Sequence, residues 1–547
     1  MKRLTNQLLT PALAVAALWA AACSGGSGVQ PPPPPMGKFT MASLKGTYAF
    51  TTSGEVFTNG SFTPTSMERV GSFTADGMGG ITGGVEDVNA SGTVSSAIVI
   101  NSSGSGYTVS ADGRGTLTLS VTSAGVPATI TFGIVLTSGS DGLSPATDGI
   151  MIDETSTQSQ ASTGSGNFIL QNTAMFQTTA LTGTYVFDFS GLNSGGFPES
   201  IVGEVSASSG AITGGIEDAD DDFALSFGPT GTGSFTSDPS HPATLADSGR
   251  GLASIAGQNY AFYIVDSTRV RVISIGTSST PMLSGDAVLQ TGVPASLSGG
   301  FVFLVAGANA SRGGITQVGR FSASGSSVSN SSVLMDTNDS DSFHLTGGPG
   351  NPTVSGASVS LDTTTGRGVL TFKDSSFNTA STFVFYLTSA SSGVIQETSQ
   401  VNGVPLLVAD GSIEAQSGSP FTSSNITGAY ALNWSGLVTA GGSGITDEED
   451  LAGLVTVSNL SLIGGSDVFQ FTSSTLTPVT NIRTTGQINL NGGTGAGDDG
   501  KRVDMTVNLS GTQVDMVVYI VSPQSAFFAN RLSDSGRTVA GILKAQK

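Results

Sequence analysis

Apolar and polar side chains alternate along most of this chain. In the first such segment Tyr48 and Phe50 fall on one face, and Thr51 falls on the other. Residues 71–84 read GSFTADGMGGITGG, which places an Asp-Gly turn between two alternating runs. A period of two residues is typical of β-strands, and Asp-Gly joins antiparallel strands in tight hairpins. The pattern therefore predicts an all-β, antiparallel protein with almost no helix.

Landmarks recur in the same order four times along the chain. The opening motif Gly-Thr-Tyr-Ala-Phe at residues 46–50 returns in related form at residues 183–187, 299–303 and 428–432. A Gly-Arg-Gly motif follows in three copies, around Arg114, Arg250 and Arg367, and decays to Gly500-Lys501-Arg502 in the fourth. Each copy closes on a glutamine, at Gln171, Gln290, Gln416 and Gln546. Such self-similarity predicts four tandem structural units.

Short polar connections, two of them containing Pro294 and Pro420, separate the copies. The predicted order begins with a signal peptide over residues 1–22 and a Gly/Ser/Pro linker over residues 23–42. The β-repeats are then predicted at residues 43–172, 180–291, 296–417 and 425–547. Each repeat is large enough to bury its own core, so we expect four independently folded units.

About eight strands joined by short hairpins are expected in each repeat. Two architectures fit this count, an eight-stranded up-and-down barrel and a two-sheet β-sandwich, and the regular hairpins favour the barrel. The opening Gly-x-Tyr-x-Phe resembles the first-strand Gly-x-Trp of the lipocalin and avidin barrels, with Tyr or Phe in place of Trp. The arginines of the repeats lie in mid-repeat rather than in a late strand, so the resemblance implies an architecture and not a ligand.

Charge narrows the possible partners. The 547 residues carry 40 acidic and 20 basic side chains, a formal net charge of −20. A surface this acidic repels nucleic acid and anionic lipid, and it favours solubility. We therefore expect no nucleic-acid partner.

The N-terminus has the composition of an export signal. Lys2 and Arg3 precede an apolar stretch, and small residues at positions 20–22 precede Cys23, the single cysteine. This arrangement resembles the lipobox of bacterial lipoproteins, although Ala20 stands where leucine is usual. The resemblance implies that Cys23 is lipidated and that the protein is exported and anchored to the outer membrane or cell surface. The alternative is ordinary cleavage after Ala22, which leaves a free thiol.

Acidic segments in the first two repeats carry side-chain oxygens at alternate positions. Hard cations such as Ca²⁺ take oxygen ligands, and alternate positions of a turn can converge on one ion. An acidic hairpin turn without metal explains the same pattern. The candidate calcium ligands are Asp87, Asn89 and Ser91 in the first repeat, and Asp218, Asp220 and Asp222 in the second. No other cofactor is expected.

The arginines of the Gly-Arg-Gly motifs admit two interpretations. One is a structural ion pair within the repeat, such as Arg114 with Glu86 or Asp87. The other is a carboxylate-binding group in a pocket. We favour the structural interpretation for Arg114, Arg250 and Arg367, because each repeat supplies its own acidic residues.

The sequence offers little equipment for catalysis. The two histidines, His241 and His344, lie in different repeats, and no nucleophile elbow, phosphate-binding loop or paired-histidine metal motif is present. We therefore do not expect this protein to be an enzyme. The favoured function is a lipid-anchored, cell-surface or periplasm-facing array for adhesion or as a stalk, with an extracellular protein or polysaccharide as a possible partner. The alternative is a set of barrels that each bind a small ligand in an apolar lumen.

Overall fold

The computed structural model contains four closed eight-stranded antiparallel barrels, which confirms the predicted fold class and selects the barrel over the sandwich. The structure describes residues 39–58, 65–123, 125–139, 141, 144–156, 160–276, 281–340, 342–347, 352–375, 380–439, 446–472, 475–490, 502–531 and 537–547.

Barrel 1 follows a short 3₁₀ helix at Met41–Ser43. Its strands are β1 (Lys45–Thr58), β2 (Thr65–Asp76), β3 (Ile81–Ala90), β4 (Thr93–Val109), β5 (Arg114–Ser123), β6 (Val126–Leu136), β7 (Asp148–Asp153), β8 (Gln160–Ser162) and β9 (Ser165–Leu170). The ring closes where β1 pairs with β2 on one side and with β9 on the other. The short strand β8 pairs with the end of β1 outside the eight-stranded ring.

Barrel 2 follows two 3₁₀ turns, Thr173–Met175 and Thr178–Ala180. Its elements are β10 (Gly183–Leu192), β11 (Pro198–Ser208), β12 (Ala211–Asp221), β13 (Leu225–Pro229), β14 (Gly233–Thr236), α1 (Thr244–Ser248), β15 (Arg250–Ile255), β16 (Gln258–Asp266), β17 (Arg269–Ser274) and β18 (Met282–Leu289). Strand β10 closes the ring with β18, and β13 is an additional strand that pairs only with β12.

Barrel 3 has the same order as barrel 2, with one added hairpin. Its strands are β19 (Ser298–Asn309), β20 (Gly314–Ser324), β21 (Ser327–Val328), β22 (Leu334–Asp339), β23 (Ser342–Thr346), β24 (Val354–Leu361), β25 (Arg367–Asp374), β26 (Ala380–Leu387), β27 (Ser392–Glu397), β28 (Gln400–Val401), β29 (Val404–Pro405) and β30 (Leu407–Ala415). The added hairpin is formed by β28 and β29. A 3₁₀ turn at Asn330–Ser332 precedes β22. Strand β19 closes the ring with β30.

Barrel 4 is a plain up-and-down barrel. Its strands are β31 (Gly428–Thr439), β32 (Thr446–Ser458), β33 (Ser461–Thr472), β34 (Thr475–Asn489), β35 (Arg502–Leu509), β36 (Thr512–Ser522), β37 (Ser525–Asn530) and β38 (Arg537–Ala545). Strand β31 closes the ring with β38.

Alternation along the strands fills each barrel with apolar side chains. In barrel 1, Tyr48, Phe50 and Phe73 are fully buried and pack with Phe132 and Phe168. The three other barrels have equivalent cores. Tyr48 and Phe50, which the sequence places on one face of the first strand, are therefore core residues of the barrel.

Small residues make room for the large core rings. A Cβ atom on Gly71 would lie 2.6 Å from the ring of Phe50 on the neighbouring strand. The same arrangement recurs in barrels 2 and 3, where a Cβ on Gly203 or Gly319 would meet Phe187 or Phe303 at 2.7 and 2.5 Å. The first strand can carry an aromatic ring into the lumen because its neighbour has no side chain at that level.

Candidate functional site

The four barrels pack against each other through outward-facing apolar side chains, and we call each contact a seam. Residues 37–547 accordingly form one compact unit. The four seams contain Val70 and Val85 with Tyr263 and Ile273 (seam 1–2), Val186 and Val202 with Val384 and Tyr386 (seam 2–3), Val302 and Val318 with Val517 and Tyr519 (seam 3–4), and Ala431 and Leu454 with Val135 and Ile150 (seam 4–1).

The seams are in cyclic order, because barrel 4 also packs against barrel 1. In each seam the first strands of one barrel meet the sixth and seventh strands of the next. Such head-to-tail contacts generate a closed ring when the rotation between units returns to the start. The four tandem units predicted from the sequence are therefore arranged as a ring of four barrels.

A buried clasp of three side chains crosses seam 1–2. Asp87 of β3 is fully buried and accepts two hydrogen bonds from the guanidinium of Arg250, at 2.7 Å to Oδ2 and 2.9 Å to Oδ1. The hydroxyl of Tyr263 donates to Oδ2 of Asp87 at 2.5 Å. Arg250 also binds Asp238 of its own barrel at 2.5 Å. A two-pronged arginine–carboxylate pair fixes orientation as well as distance, so the clasp sets how barrel 2 sits on barrel 1.

The same clasp recurs in seam 2–3. Arg367 of barrel 3 donates to both carboxylate oxygens of Asp218 in barrel 2, each at 2.7 Å. The Tyr386 hydroxyl donates to Oδ2 of Asp218 at 2.6 Å. The Arg367 guanidinium also lies over the Phe227 ring, 4.6 Å from its centroid.

Seam 3–4 has the third copy, with arginine retained although the Gly-Arg-Gly motif has decayed. Arg502 donates to Oδ1 of Asp336, and the Tyr519 hydroxyl donates to Oδ2 of Asp336 at 2.5 Å. Asp336 is fully buried. Arg502 therefore forms the clasp contact although the flanking glycines of the motif are absent.

Seam 4–1 departs from the pattern. By strand register, Asp467 takes the place of the clasp aspartate and Val135 takes the place of the clasp tyrosine. Arg114 donates to its own neighbour Asp112 at 2.9 Å and to Asn481 of barrel 4 at 3.0 Å. The backbone N–H of Asn481 donates to Asp467 at 2.6 Å. The fourth seam is thus closed by a relayed and more exposed contact.

Glutamines that close the repeats form a second set of cross-seam bonds, which we call latches. The Nε2 group of Gln171 donates to the carbonyl oxygens of Ile264 and Ser248 in barrel 2, at 2.6 and 3.0 Å. Gln546 of barrel 4 donates likewise to Leu136 and Asp112 of barrel 1, both at 2.9 Å. Equivalent latches join Gln290 to Leu387 and Thr365, and Gln416 to Ile520.

The first glycine of the Gly-Arg-Gly motif accommodates the latch. Gly366 has a φ of +77° and a Cβ there would lie 2.6 Å from Nε2 of Gln290. Gly113 has a φ of +90° and a Cβ there would lie 2.6 Å from Nε2 of Gln546. Glycine meets both demands at once, the left-handed backbone and the close approach of a neighbouring barrel.

Burial sets the electrostatics of the clasps. Burial and the neighbouring Asp87 raise the pKa of Tyr263 well above its ordinary value, so the hydroxyl keeps its proton. Burial alone lowers the pKa of Arg250, but the hydrogen bonds from its guanidinium to Asp87 outweigh this and the pKa is raised. Burial raises the pKa of Asp336 to about 6, against the opposing charge of Arg502. Removal of one partner would leave a buried charge without its counter-charge.

The structure corrects the expected pairing of the arginines. Asp87 is bound by Arg250 of the following barrel and not by Arg114, and Glu86 pairs with Arg69 inside barrel 1, with an Nη1–Oε2 distance of 3.1 Å. All three arginines of the predicted motif do lie at seams.

The candidate calcium ligands lie in different surroundings, some in the seams and some at turns. Asp87 and Asp218 are in the clasps. Asn89 is buried and donates to the backbone and side chain of Ser274 across seam 1–2, both at 3.2 Å. Asp220 is buried in seam 2–3, whereas Ser91 and Asp222 lie at turns with positive φ. Over the described ranges, no three His, Cys, Asp or Glu side chains are placed to hold one metal ion. Calcium binding by these segments stays a prediction, and Cys23 lies outside the described residues.

The two histidines lie in different barrels. His241 of barrel 2 is within 3.1 Å of Asp238, and His344 of barrel 3 is within 3.2 Å of Asp374. Asp238 is also bound by the clasp residue Arg250. Both pairs therefore belong to structural networks, one of which supports a clasp.

The lumens of barrels 2 and 4 contain only small cavities. A cavity of about 10 Å³ lies among core residues of barrel 2, and one of about 20 Å³ lies in barrel 4. Each is at most the size of one water molecule. A larger cavity of about 490 Å³ lies where barrels 1, 2 and 4 meet, lined by polar residues that include Asp148, Arg269 and Lys544.

In the part of the chain that the structure describes, no helix has the length and apolar character needed to cross a membrane.

The seams do not follow from the alternating pattern, because that pattern assigns only the inward faces of the strands to a core. In β2 a run of seven consecutive residues is buried, from Met67 to Phe73. A strand buried on both faces carries apolar or small residues at successive positions, as Val70, Gly71 and Phe73 do here. That departure from strict alternation was the available signal for a second packed face.

No family model and no curated protein matches the chain. Among solved structures, it is similar to intact Ap-TbpB with its N and C lobes, at 11% identity and a TM-score of 0.19, over 73% of this chain and 83% of that one. It is similar to a double mutant of transferrin binding protein B from Haemophilus parasuis Hp5, at 11% identity and a TM-score of 0.19, over 73% and 82%. It is also similar to isotype 1 of transferrin binding protein B from serogroup B Neisseria meningitidis, at 10% identity and a TM-score of 0.16, over 73% of this chain and 84% of that one. Likenesses at this level carry no argument about the present chain.

Proposed function

We propose that this protein is a lipid-anchored protein of the outer membrane or cell surface, and that its ring of four β-barrels is a rigid structural or interaction platform. The observation that carries the proposal is the cyclic set of seams. Clasps and latches fix the barrels relative to one another, so the outer faces of four barrels and their loops are held in one arrangement. The loops of such a platform would bind an extracellular protein or a polysaccharide.

The ring favours a platform over the stalk. A stalk needs its units in a line, whereas the latch of Gln546 returns barrel 4 to barrel 1. The net charge of −20 argues against nucleic acid as the partner. We assign the protein no enzymatic activity.

Small-ligand binding in the lumens is the less favoured function. The cavities found in barrels 2 and 4 hold at most one water molecule. In the cavity between barrels 1, 2 and 4, Lys544 already pairs with Asp148, and Arg269 lies 3.5 Å from Asp286. The basic side chains of that cavity therefore have acidic partners within the protein.

Lipid anchoring is tested by comparing wild-type protein with Cys23→Ser in the same bacterial host. The proposal predicts that wild-type protein carries acyl mass and fractionates with membranes, and that the variant does neither. Equal recovery of both proteins in the soluble fraction would contradict the anchor. Protease added to intact cells then separates surface display, which predicts cleavage, from attachment to an inner face, which predicts protection.

The platform role needs a separate readout. Cells that display the wild-type ring are compared with cells that produce the Cys23→Ser form, which is expected not to be displayed, for attachment to protein-coated and polysaccharide-coated surfaces. Attachment that follows surface display of the ring would support the role. Attachment that is identical in both, after display of the wild-type ring and loss of display in the variant have been verified, would contradict it.

A further inference from the structure

Seam 2–3 brings together one carboxyl group from each of two barrels, and seam 4–1 also buries acidic side chains, Glu448 and Asp450 of β32. Asp188 of β10 and Asp410 of β30 are half-buried, and their carboxyl groups are within hydrogen-bonding reach of each other. By strand register the equivalent pair in seam 4–1 is Asn433 and Ser165, where the amide donates to the hydroxyl at 2.9 Å. The equivalent pairs in seams 1–2 and 3–4 are Thr51 with Ser284 and Leu304 with Ala540.

A second pair of carboxylates belongs to the same seam. Asp220 of β12 is fully buried, and Glu397 of β27 is close enough to interact with it electrostatically. The equivalent contacts in seams 1–2 and 3–4 are neutral, whereas barrel 1 has the buried Asp153 in place of Glu397. Asn89 donates to Ser274 in seam 1–2 at 3.2 Å, and Asn338 donates to Asn530 in seam 3–4 at 2.9 Å.

An unpartnered amide oxygen lies beside the first carboxyl pair. Gln396 is fully buried, and its Nε2 group donates to the backbone oxygen and the hydroxyl of Ser200, at 2.9 and 3.0 Å. Its Oε1 atom has no hydrogen-bond partner. Gln396 lies directly opposite Asp410 in the strand register, so both side chains point to the same face. The equivalent residues in the other barrels are Ile152, Ile273 and Ala529. A buried amide oxygen needs a donor or a cation.

Among the described residues, the charged side chains around the carboxyl pair are mostly acidic. Asp286 lies opposite Asp188 in the register, and Glu68 of barrel 1 adds its charge near Asp410. Arg271 lies with its Nε 3.9 Å from Asp286 and donates to Asn167 of barrel 1, while Arg367 is held by the clasp. Burial raises the pKa of Asp188 and of Asp410. Buried like charges must be neutralised by protons or by a cation.

We propose that seam 2–3 binds a hard divalent cation of the calcium class between Asp188 and Asp410, with Gln396 Oε1 as a third ligand. The Ser190 and Ser200 hydroxyls, both within hydrogen-bonding reach of Asp410, complete a set of oxygen donors. Calcium accepts carboxylate, amide and hydroxyl oxygens in flexible geometry, whereas magnesium demands a stricter octahedron. A site of this kind draws on two carboxylates only, which is consistent with the lack of any three-carboxylate group over the described ranges. The ion would tie barrel 2 to barrel 3 beside the clasp.

Calorimetric titration of Ca²⁺ into chelator-treated protein tests the site, at a pH near 8 where ionised carboxylates compete best for the metal. The double variant Asp188→Asn with Asp410→Ser installs the neutral pair that seam 4–1 already uses, so it is expected to fold. The proposal predicts binding of one Ca²⁺ per chain, at least tenfold weaker binding by the double variant, and weaker binding of Mg²⁺ than of Ca²⁺. Asp247→Asn is the matched control, because it removes an exposed acidic residue of α1 away from seam 2–3, and it should bind as the wild type does.

Two results would overturn the proposal. Absence of Ca²⁺ binding, with stability that falls as pH rises in chelator and in Ca²⁺ alike, would show that the carboxyl pair shares a proton instead. Binding that survives the double variant but is lost in Asp222→Asn would place the ion in the acidic turn. Melting curves of every variant verify that lost binding is not lost folding.

Discussion

Replacement of Arg250 by alanine is the sharpest test of the clasps. The change removes both hydrogen bonds to Asp87 and the ion pair to Asp238. Arg250 and Asp87 have no exposed side-chain surface, so the remaining carboxylate would be buried without its counter-charge. Breaking a buried ion pair in this way costs about 3–5 kcal/mol. The Tyr263 hydroxyl still donates to Asp87, which places the expected cost towards the lower end of that range.

Arg114→Ala is the matched control in the same motif. The Arg114 side chain is 20% exposed and pairs with the 21% exposed Asp112, so its loss is expected to cost about 0–1 kcal/mol. Native-state hydrogen exchange is the appropriate assay, because a protein of four coupled barrels need not unfold in one step. Arg250→Ala should speed exchange in β3 and β16, which meet at seam 1–2, far more than Arg114→Ala speeds exchange at seam 4–1. Equal acceleration in the two variants would refute the reasoning.

Three further predictions concern single residues. Tyr386→Phe removes one hydrogen bond to a clasp aspartate and should cost about 1.5–3 kcal/mol in denaturant unfolding; an unchanged midpoint would show that Arg367 alone holds the seam. Gly366→Ala should destabilise more than Gly403→Ala, because both glycines have positive φ but only at Gly366 does a Cβ meet a latch amide; similar losses would leave backbone strain as the sole cause. Burial raises the pKa of Glu68 from 4.5 to about 7, so the protonated form is favoured in the folded ring. The protonated Glu68 therefore contributes its full stabilisation below pH 4.5, the pKa in the unfolded chain, and this stabilisation is lost as the pH rises to about 7. Glu68→Gln should flatten the fall in melting temperature between these two pH values.

The fold was predictable because it depends on local patterns. Alternation of side chains marks the strands, and turns such as Asp76-Gly77 mark the hairpins. A repeat of eight strands with short connections leaves few architectures open. The closed barrel follows from the same pattern, because the first and last strands of each repeat are both apolar on their inner faces.

The seams were not predictable from those patterns, although their residues stood out as landmarks. Arg250 and Asp87 are 163 positions apart, and nothing in a strand pattern tells which barrel an outward side chain will meet. Proximity in sequence therefore suggested a partner within the repeat. The latch of Gln546 on Leu136 spans 410 positions and exists only because the ring closes. Residues that act across a ring are visible as repeats, but their partners are set by the packing of whole barrels.

A zero-length cross-link tests most directly whether barrel 4 closes on barrel 1. Lys544 of β38 forms an ion pair with Asp148 of β7. Carbodiimide treatment of monomeric protein should join this amine to this carboxylate as an amide, and mass spectrometry should recover the peptide pair from β7 and β38. The yield should not depend on protein concentration, and Lys544→Arg should abolish it. Absence of the cross-link from folded protein, or its appearance only between separate chains, would contradict the closed ring.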